Sequence, residues 1–347
     1  MTPMNWKTTL SRSWLGSEPR ASASGCPAPP DAAVGLPKAL WGRLAACGGL
    51  STRLFFFALL SPALPAQTTI AIVTTSDVEA YAEALDGLKS GLAGVSAEIR
   101  VFQLEKKGGK LSLPATFQAP QHGLVVAMGM EAALALSQIP IDAAVLATMI
   151  LRADAESAKA RRNKTLATIV LDVPIDALAV RLKEIFPGKT RLGIVFNPDW
   201  PGLSSAGLQA QAKQHGITAL VAACSRAQDL LAAFLSFKGK ADFVWCLPDS
   251  SLYDSVTVQA VLLASLNNRL PIIGFSSSFV RAGALMGVYP DFREVGTQTA
   301  EAVRNYLAGR TLPVLESPRV FRVAVNQRVE RLLGLEPSIS KEVALFR

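Results

Sequence analysis

From Gln67 onward the chain alternates short apolar runs with segments of helical period, and its apolar runs are continuous rather than every-other-residue. Thr69-Ile-Ala-Ile-Val73, Gly123-Leu-Val-Val-Ala-Met-Gly129 and Ala143–Ile150 contain no charged residue. A strand with one wet face must alternate, so a strand apolar on both faces has to be covered on both. Strands of that kind, each followed by a helix, form a parallel sheet between two helix layers. Ala80 to Leu92 supplies the first helical period, Ala97 to Leu104 the second strand, and Glu131–Gln138 the next helix. Lys106 to Lys110 reads as a loop.

A second cycle begins after Thr165–Val170. Helix Ile175–Ile185 stops at Phe186-Pro187-Gly188, and five further strands with four helices among them run to Leu307. Arg319–Val325 reads as a late strand and Gln327–Leu333 as a closing helix. With 347 residues there is room for about two domains. The expected fold class is therefore α/β, with two Rossmann-like doubly wound lobes and a cleft between them. Residues 67–170 form lobe 1, completed by 280–310. Residues 171–279 form lobe 2, completed by 311–335, and 336–347 form a C-terminal tail.

Residues 1–66 read as a disordered extension plus a signal peptide. The stretch from Ser22 to Pro30 is Ser, Gly, Ala, Cys and Pro, which cannot bury enough apolar area to fold. Arg53 then precedes an uncharged run from Leu54, broken by Pro62 and Pro65 before Ala66. That is a basic n-region, a short apolar core and a small-residue cleavage site, after Ala66 or Ala63. The run falls short of the roughly 20 residues that cross a bilayer. The expected location is periplasmic. Leu44-Ala45-Ala46-Cys47 looks like a lipoprotein box, but the apolar run it needs lies after it instead of before it.

The formal charge of +8 invites a nucleic-acid reading. Half of it lies before Gln67, where six basic residues face only Glu18 and Asp31. No basic stripe with interleaved aromatics occurs after it, so nucleic acid is not an expected partner. His122 and His215 lack Cys, His or carboxylate neighbours at metal-ligand spacing. No Gly-x-Ser-x-Gly elbow, Gly-x-Gly-x-x-Gly turn or phosphate loop occurs, so neither catalysis nor a cofactor is expected. Cys224 and Cys246 lie near the ends of two strands. In a 2-1-3 strand order the Ile194 strand separates them, and both are expected to be free, buried thiols.

Open parallel sheets bind ligands outside the carboxyl ends of their strands, near helix N-termini. Those ends here are polar or glycine-containing: Thr74-Thr75-Ser76-Asp77, Gly129, Asn197-Pro198-Asp199-Trp200, Pro248-Asp249-Ser250-Ser251 and Ser276-Ser277-Ser278. Backbone N–H groups there favour a carboxylate, Asp249 or Asp77 an ammonium group, and Trp200 a ring. For any one of these residues helix capping is the better explanation. The recurrence of the pattern in both lobes is what points to a ligand.

Three stretches resemble the type I periplasmic solute-binding proteins of ABC transporters, in the subfamily of tryptophan- and phenylalanine-binding proteins. They are Ile185-Phe-Pro-Gly188 through Asn197-Pro198, Phe243 through Pro248-Asp249, and Arg281-Ala-Gly283 through Tyr289-Pro290-Asp291, Gly296 and Gly309. The resemblance spans most of Thr69 to Leu335. It implies ligand contacts from Thr75, Ser76, Gly129, Asn197 and Asp249, no cofactor, and two partners: a small-molecule ligand, amino-acid-like or related, and a membrane permease. It implies a monomer that captures its solute by hinge closure. A sensor or interaction module that no longer transports a solute is the alternative. Two departures stand near the expected cleft and hinge. Leu111 to Pro120, with two prolines, is too short for the usual helix, and Val170-Leu-Asp-Val-Pro174 replaces a glycine-containing turn.

Overall fold

The computed structural model describes residues 68–75, 78–107, 109–162, 166–338 and 343–346, leaving aside the side chains of 160–162. The expected targeting segment, 1–66, lies outside the described residues, as does Ser76.

The first lobe opens with β1 (Thr69–Thr74), α1 (Glu79–Gly91) and β2 (Glu98–Gln103). A small hairpin comes next, β3 (Glu105–Lys107) with β4 (Lys110–Ser112), then β5 (Gly123–Met128) and α2 (Met130–Ser137). β6 (Ala144–Ile150), α3 (Arg152–Arg162) and β7 (Ala167–Val170) complete the first cycle. The hairpin and the proline-containing stretch after it occupy the place where a helix was excluded. The sheet order is β2-β1-β5-β6-β7, parallel throughout. Its two faces are buried by separate cores, one around Val73, Val125 and Ala147 and the other around Ile72, Val126 and Leu146. That double burial is the physical reason for the continuous apolar runs.

The second lobe runs α4 (Ile175–Ile185), β8 (Arg191–Phe196), α5 (Ser205–Gln214) and β9 (Thr218–Ala223). Next come α6 (Leu230–Leu235), β10 (Phe243–Cys246), α7 (Ser255–Asn268), β11 (Ile272–Gly274), α8 (Ser277–Ala282) and β12 (Met286–Pro290). After β12 the chain returns to the first lobe as α9 (Phe292–Leu307). It then ends in the second lobe as β13 (Phe321–Asn326), α10 (Gln327–Leu333) and β14 (Val343–Phe346). The sheet order is β14-β13-β12-β11-β10-β8-β9, with β12 and β13 antiparallel. β8 does separate the two cysteines, which are free and buried.

Two sequence-level boundaries are corrected. Residues 280–310, expected in lobe 1, divide: β12 pairs with β11 and β13 in the second sheet, and only α9 packs on the first lobe, against α1. The helices meet closely because glycines face each other's backbone. A Cβ on Gly87 would lie 2.0 Å from Arg293 O, and one on Gly296 2.0 Å from Ala84 O. The expected tail, 336–347, carries β14, which pairs in parallel with β13 and sets Phe346 against Val280, Tyr289 and Ala324.

Three segments cross between the lobes: Leu171 to Pro174, the step from Pro290 to Asp291, and the stretch before β13. The last two are tied together by the Asp291 N–H donating to Val320 O at 3.0 Å. Upstream of the third crossing, Glu316 runs beside β7, exchanging backbone hydrogen bonds with Thr168 and Val170. Arg322 of β13 pairs with Asp291 at 2.7 Å and with Glu83 of α1 at 3.3 Å, so one guanidinium holds both lobes at the crossings.

Candidate functional site

In the first lobe β5, β6 and β7 are neighbours, and their carboxyl ends deliver three carboxylates. Glu131 comes after β5 in the first turn of α2, Asp154 after β6 in the first turn of α3, and Asp172 two residues beyond β7. Gly129 makes the turn into α2 with φ of +96°, a conformation that L side chains rarely adopt. A Cβ there would also fall 2.5 Å from the Tyr81 hydroxyl. Tyr81 from α1 therefore lies against Gly129, with its hydroxyl near the Thr75 side chain. Burial, and then the charge of Glu131, push the Tyr81 hydroxyl up and keep it protonated.

β6 ends irregularly. Met149 has φ of +57° and the register with β7 shifts between Thr148 and Ile150. A residue in the left-handed region at a sheet end turns the chain beyond it. Just past that turn the Arg152 N–H donates to Asp172 Oδ2 at 2.7 Å.

In the second lobe Asn197 ends β8 and Asp249 stands three residues beyond β10. Both are buried, at 7% and 5% exposure. They are joined through Ser251: Asn197 Nδ2 donates to Ser251 Oγ at 3.2 Å, and that hydroxyl and the Ser251 N–H donate to Asp249 Oδ1 at 2.6 and 2.7 Å. Asp249 Oδ2 is buried with no hydrogen-bond partner. A buried carboxylate oxygen left unpaired carries a desolvation cost that a ligand can relieve.

The two lobes meet electrostatically at Asp154. Its carboxyl is pushed up to about 7, first by burial and then by the charges of Asp172, Asp249 and Glu131. Of these, Asp249 belongs to the other lobe. Asp172 is raised by burial, against the lowering effects of the Arg152 N–H and guanidinium charge.

The sequence-expected residues thus fall into two groups. Thr75 and Gly129 gather around Tyr81 in lobe 1, and Asn197 and Asp249 share one hydrogen-bond chain in lobe 2. Trp200 and Ser276 serve their own turns: the Trp200 N–H donates to Asn197 O at 3.2 Å, and Ser276 Oγ caps α8 by accepting from the Phe279 N–H at 3.2 Å. Tyr81, Glu131, Asp154 and Asp172 do not stand out in the sequence. Each carboxylate lies within four residues of a strand's carboxyl end, and that rule applied uniformly would have found all three.

Burial raises both thiols, Cys246 up to about 12, which removes the thiolate a nucleophile needs. Among the described residues no three His, Cys, Asp or Glu side chains are placed to hold a metal ion. No described helix is long and apolar enough to cross a membrane.

Comparison with known proteins agrees with this picture. The family model described as ABC transporter substrate binding protein matches residues 69–327. No curated protein matches. Among solved structures, a conserved domain protein from Vibrio cholerae is 19% identical, with 81% of this chain and 100% of that one covered and a TM-score of 0.51. An ABC domain in complex with L-Trp from Streptococcus pneumonia is 16% identical, covering 80% and 99%, with a TM-score of 0.51. The ligand-free, open structure of a substrate-binding protein with adhesive properties from Clostridium difficile is 17% identical, covering 81% and 99%, with a TM-score of 0.57. The likeness is one of fold, the two-lobed α/β arrangement of type I periplasmic binding proteins.

Proposed function

The chain belongs to the ABC transporter substrate-binding protein family, and from that premise we propose that it is the periplasmic solute-binding component of such a transporter. It captures an amino-acid-like or related small molecule between its lobes, closes about the three crossings, and presents the closed form to a membrane permease. It acts as a monomer and catalyses no reaction. Thr75, Ser76 and Gly129 from the first lobe, and Asn197 and Asp249 from the second, contact the ligand.

The observation that carries this reading is Asp249: a carboxylate held rigidly by Ser251 on one oxygen, with its other oxygen buried and unpartnered. Such an oxygen is the feature expected of a preformed binding group. The sensor alternative would be supported by a cleft filled with apolar side chains around Asp249.

The test is a melting series on protein stripped of ligand by unfolding and refolding, against amino acids, amines, peptides, nucleosides and sugars. A ligand bound only by the native state stabilises it by about 2.7 kcal/mol at 100 times its Kd. The expected result is a concentration-dependent rise with one class, abolished in Asp249→Ala. A folded protein whose midpoint no compound moves would overturn solute capture and leave the interaction module.

A further inference from the structure

β2 ends the strand order of the first sheet, so among the described residues β1 alone pairs with it. The Glu98 N–H donates to Thr68 O at 2.9 Å, and the Leu104 N–H to Thr74 O at 3.0 Å. Along a strand, the backbone groups of alternate residues face the same neighbour. Residues 98, 100, 102 and 104 therefore face β1, and the N–H and C=O groups of Ile99, Val101 and Gln103 face the open side.

Proteins usually guard such an edge with charge or proline along the strand. Residues 101–104 of this chain carry neither, and Val101 is 37% exposed. A trough of about 460 Å³ runs beside them, lined by Val101 to Glu105 on one side and by Pro114 and Thr116 on the other. Successive strand residues point to opposite faces. A trough lined by consecutive residues thus follows the backbone edge and not one face of the sheet.

Where the trough reaches Glu105, the β3–β4 hairpin begins. It carries Lys106, Lys107 and Lys110, all exposed, against the one carboxylate of Glu105. Lys107 stands directly opposite Lys110, and like charges so placed repel. Glu105 pairs with Lys107 at 3.3 Å, and among the described residues Lys106 and Lys110 make no ion pair. An anion at the hairpin would relieve that repulsion.

We propose that the open edge of β2 docks an extended, acidic segment of a partner protein, which joins the first sheet as a further strand. Its backbone pairs with Ile99, Val101 and Gln103, its apolar side chains occupy the trough, and its carboxylates lie against the hairpin lysines. An anionic membrane would satisfy the lysines but has no backbone to offer the edge. This surface is independent of Asn197 and Asp249 and does not rest on solute capture.

The experiment is fluorescence anisotropy of a labelled peptide, alternating valine and serine before a run of glutamates, titrated with the full chain. The same peptide with lysines for glutamates is the comparison. The glutamate peptide should bind at least about 10-fold more tightly, and more weakly as salt rises. Val101→Pro removes an outward N–H and leaves the β1 ladder intact. It should weaken binding about 5-fold or more, the loss of a hydrogen bond and its geometry. Lys107→Glu combined with Lys110→Glu should weaken it similarly, and a cooperative melt shows that each variant is folded. Amide exchange reads the edge without any variant: Val101 and Gln103 should exchange freely in the protein alone and slow with the glutamate peptide. Equal affinity for both peptides, or binding that folded Val101→Pro leaves unchanged, would overturn the proposal. So would slow exchange at these amides in the protein alone with a doubled mass, which would give the edge to a second copy. Binding to phosphatidylglycerol vesicles in place of the peptide would overturn it in favour of a membrane.

Discussion

Asp154 is the residue whose chemistry is most exposed to test. Its folded-state proton is held up to about 7 by burial and by Asp172, Asp249 and Glu131, with Arg152 and Tyr81 also nearby. A carboxylate raised in the folded state holds a proton that the unfolded chain has already lost. Protonation therefore supports folding at low pH, and that support fades as pH rises from the ordinary carboxylate range through about 7. Ligand-free protein should lose on the order of 1–2 kcal/mol over that window from this group, allowing for its partial solvation. Asp154→Asn should remove the loss, so the midpoint difference between variant and wild type should grow from pH 4.5 to 8.5. A flat difference would mean that Asp154 is solvated and not part of the cluster. Gly129 gives a second residue-scale expectation. Gly129→Ala places a Cβ 2.5 Å from the Tyr81 hydroxyl at φ of +96°, which should cost about 1–3 kcal/mol in denaturant unfolding. A neutral result would mean that Tyr81 moves freely. Asn197 and Asp249 were legible in sequence because each ends an apolar strand in a polar turn. Asp154 was not, because α3 is rich in alanine and charge and has no apolar period to mark it. The left-handed Met149 that turns the chain has no sequence signature at all.

At the scale of elements, the fit of α9 on α1 depends on facing glycines. Gly87→Val and Gly296→Val each drive a side chain into the other helix's backbone. Each should destabilise the protein by about 2–3 kcal/mol, read from the denaturant midpoint at unchanged slope. An unshifted midpoint would show that the helices part without cost. The strand–helix alternation, and hence most elements, was legible because both cores impose it on the sequence. Partnership was less so: β12 and α9 are consecutive, yet one joins each lobe, and nothing in their own periodicity distinguishes them. β14 passed for a tail because the polar stretch from Glu336 to Glu342 separates it from the rest, and its pairing with β13 is long-range information.

At the scale of the molecule, two doubly wound lobes are joined by three crossings and clamped near them by Arg322. A ligand captured between the lobes as proposed favours the closed form by its differential affinity for it. Small-angle X-ray scattering of ligand-stripped protein, before and after saturation with the compound that raises its midpoint, tests this most directly. Capture by closure predicts a smaller radius of gyration at saturation and no change of mass, with the contraction lost in Asp249→Asn. A scattering profile unchanged at saturating ligand would contradict it.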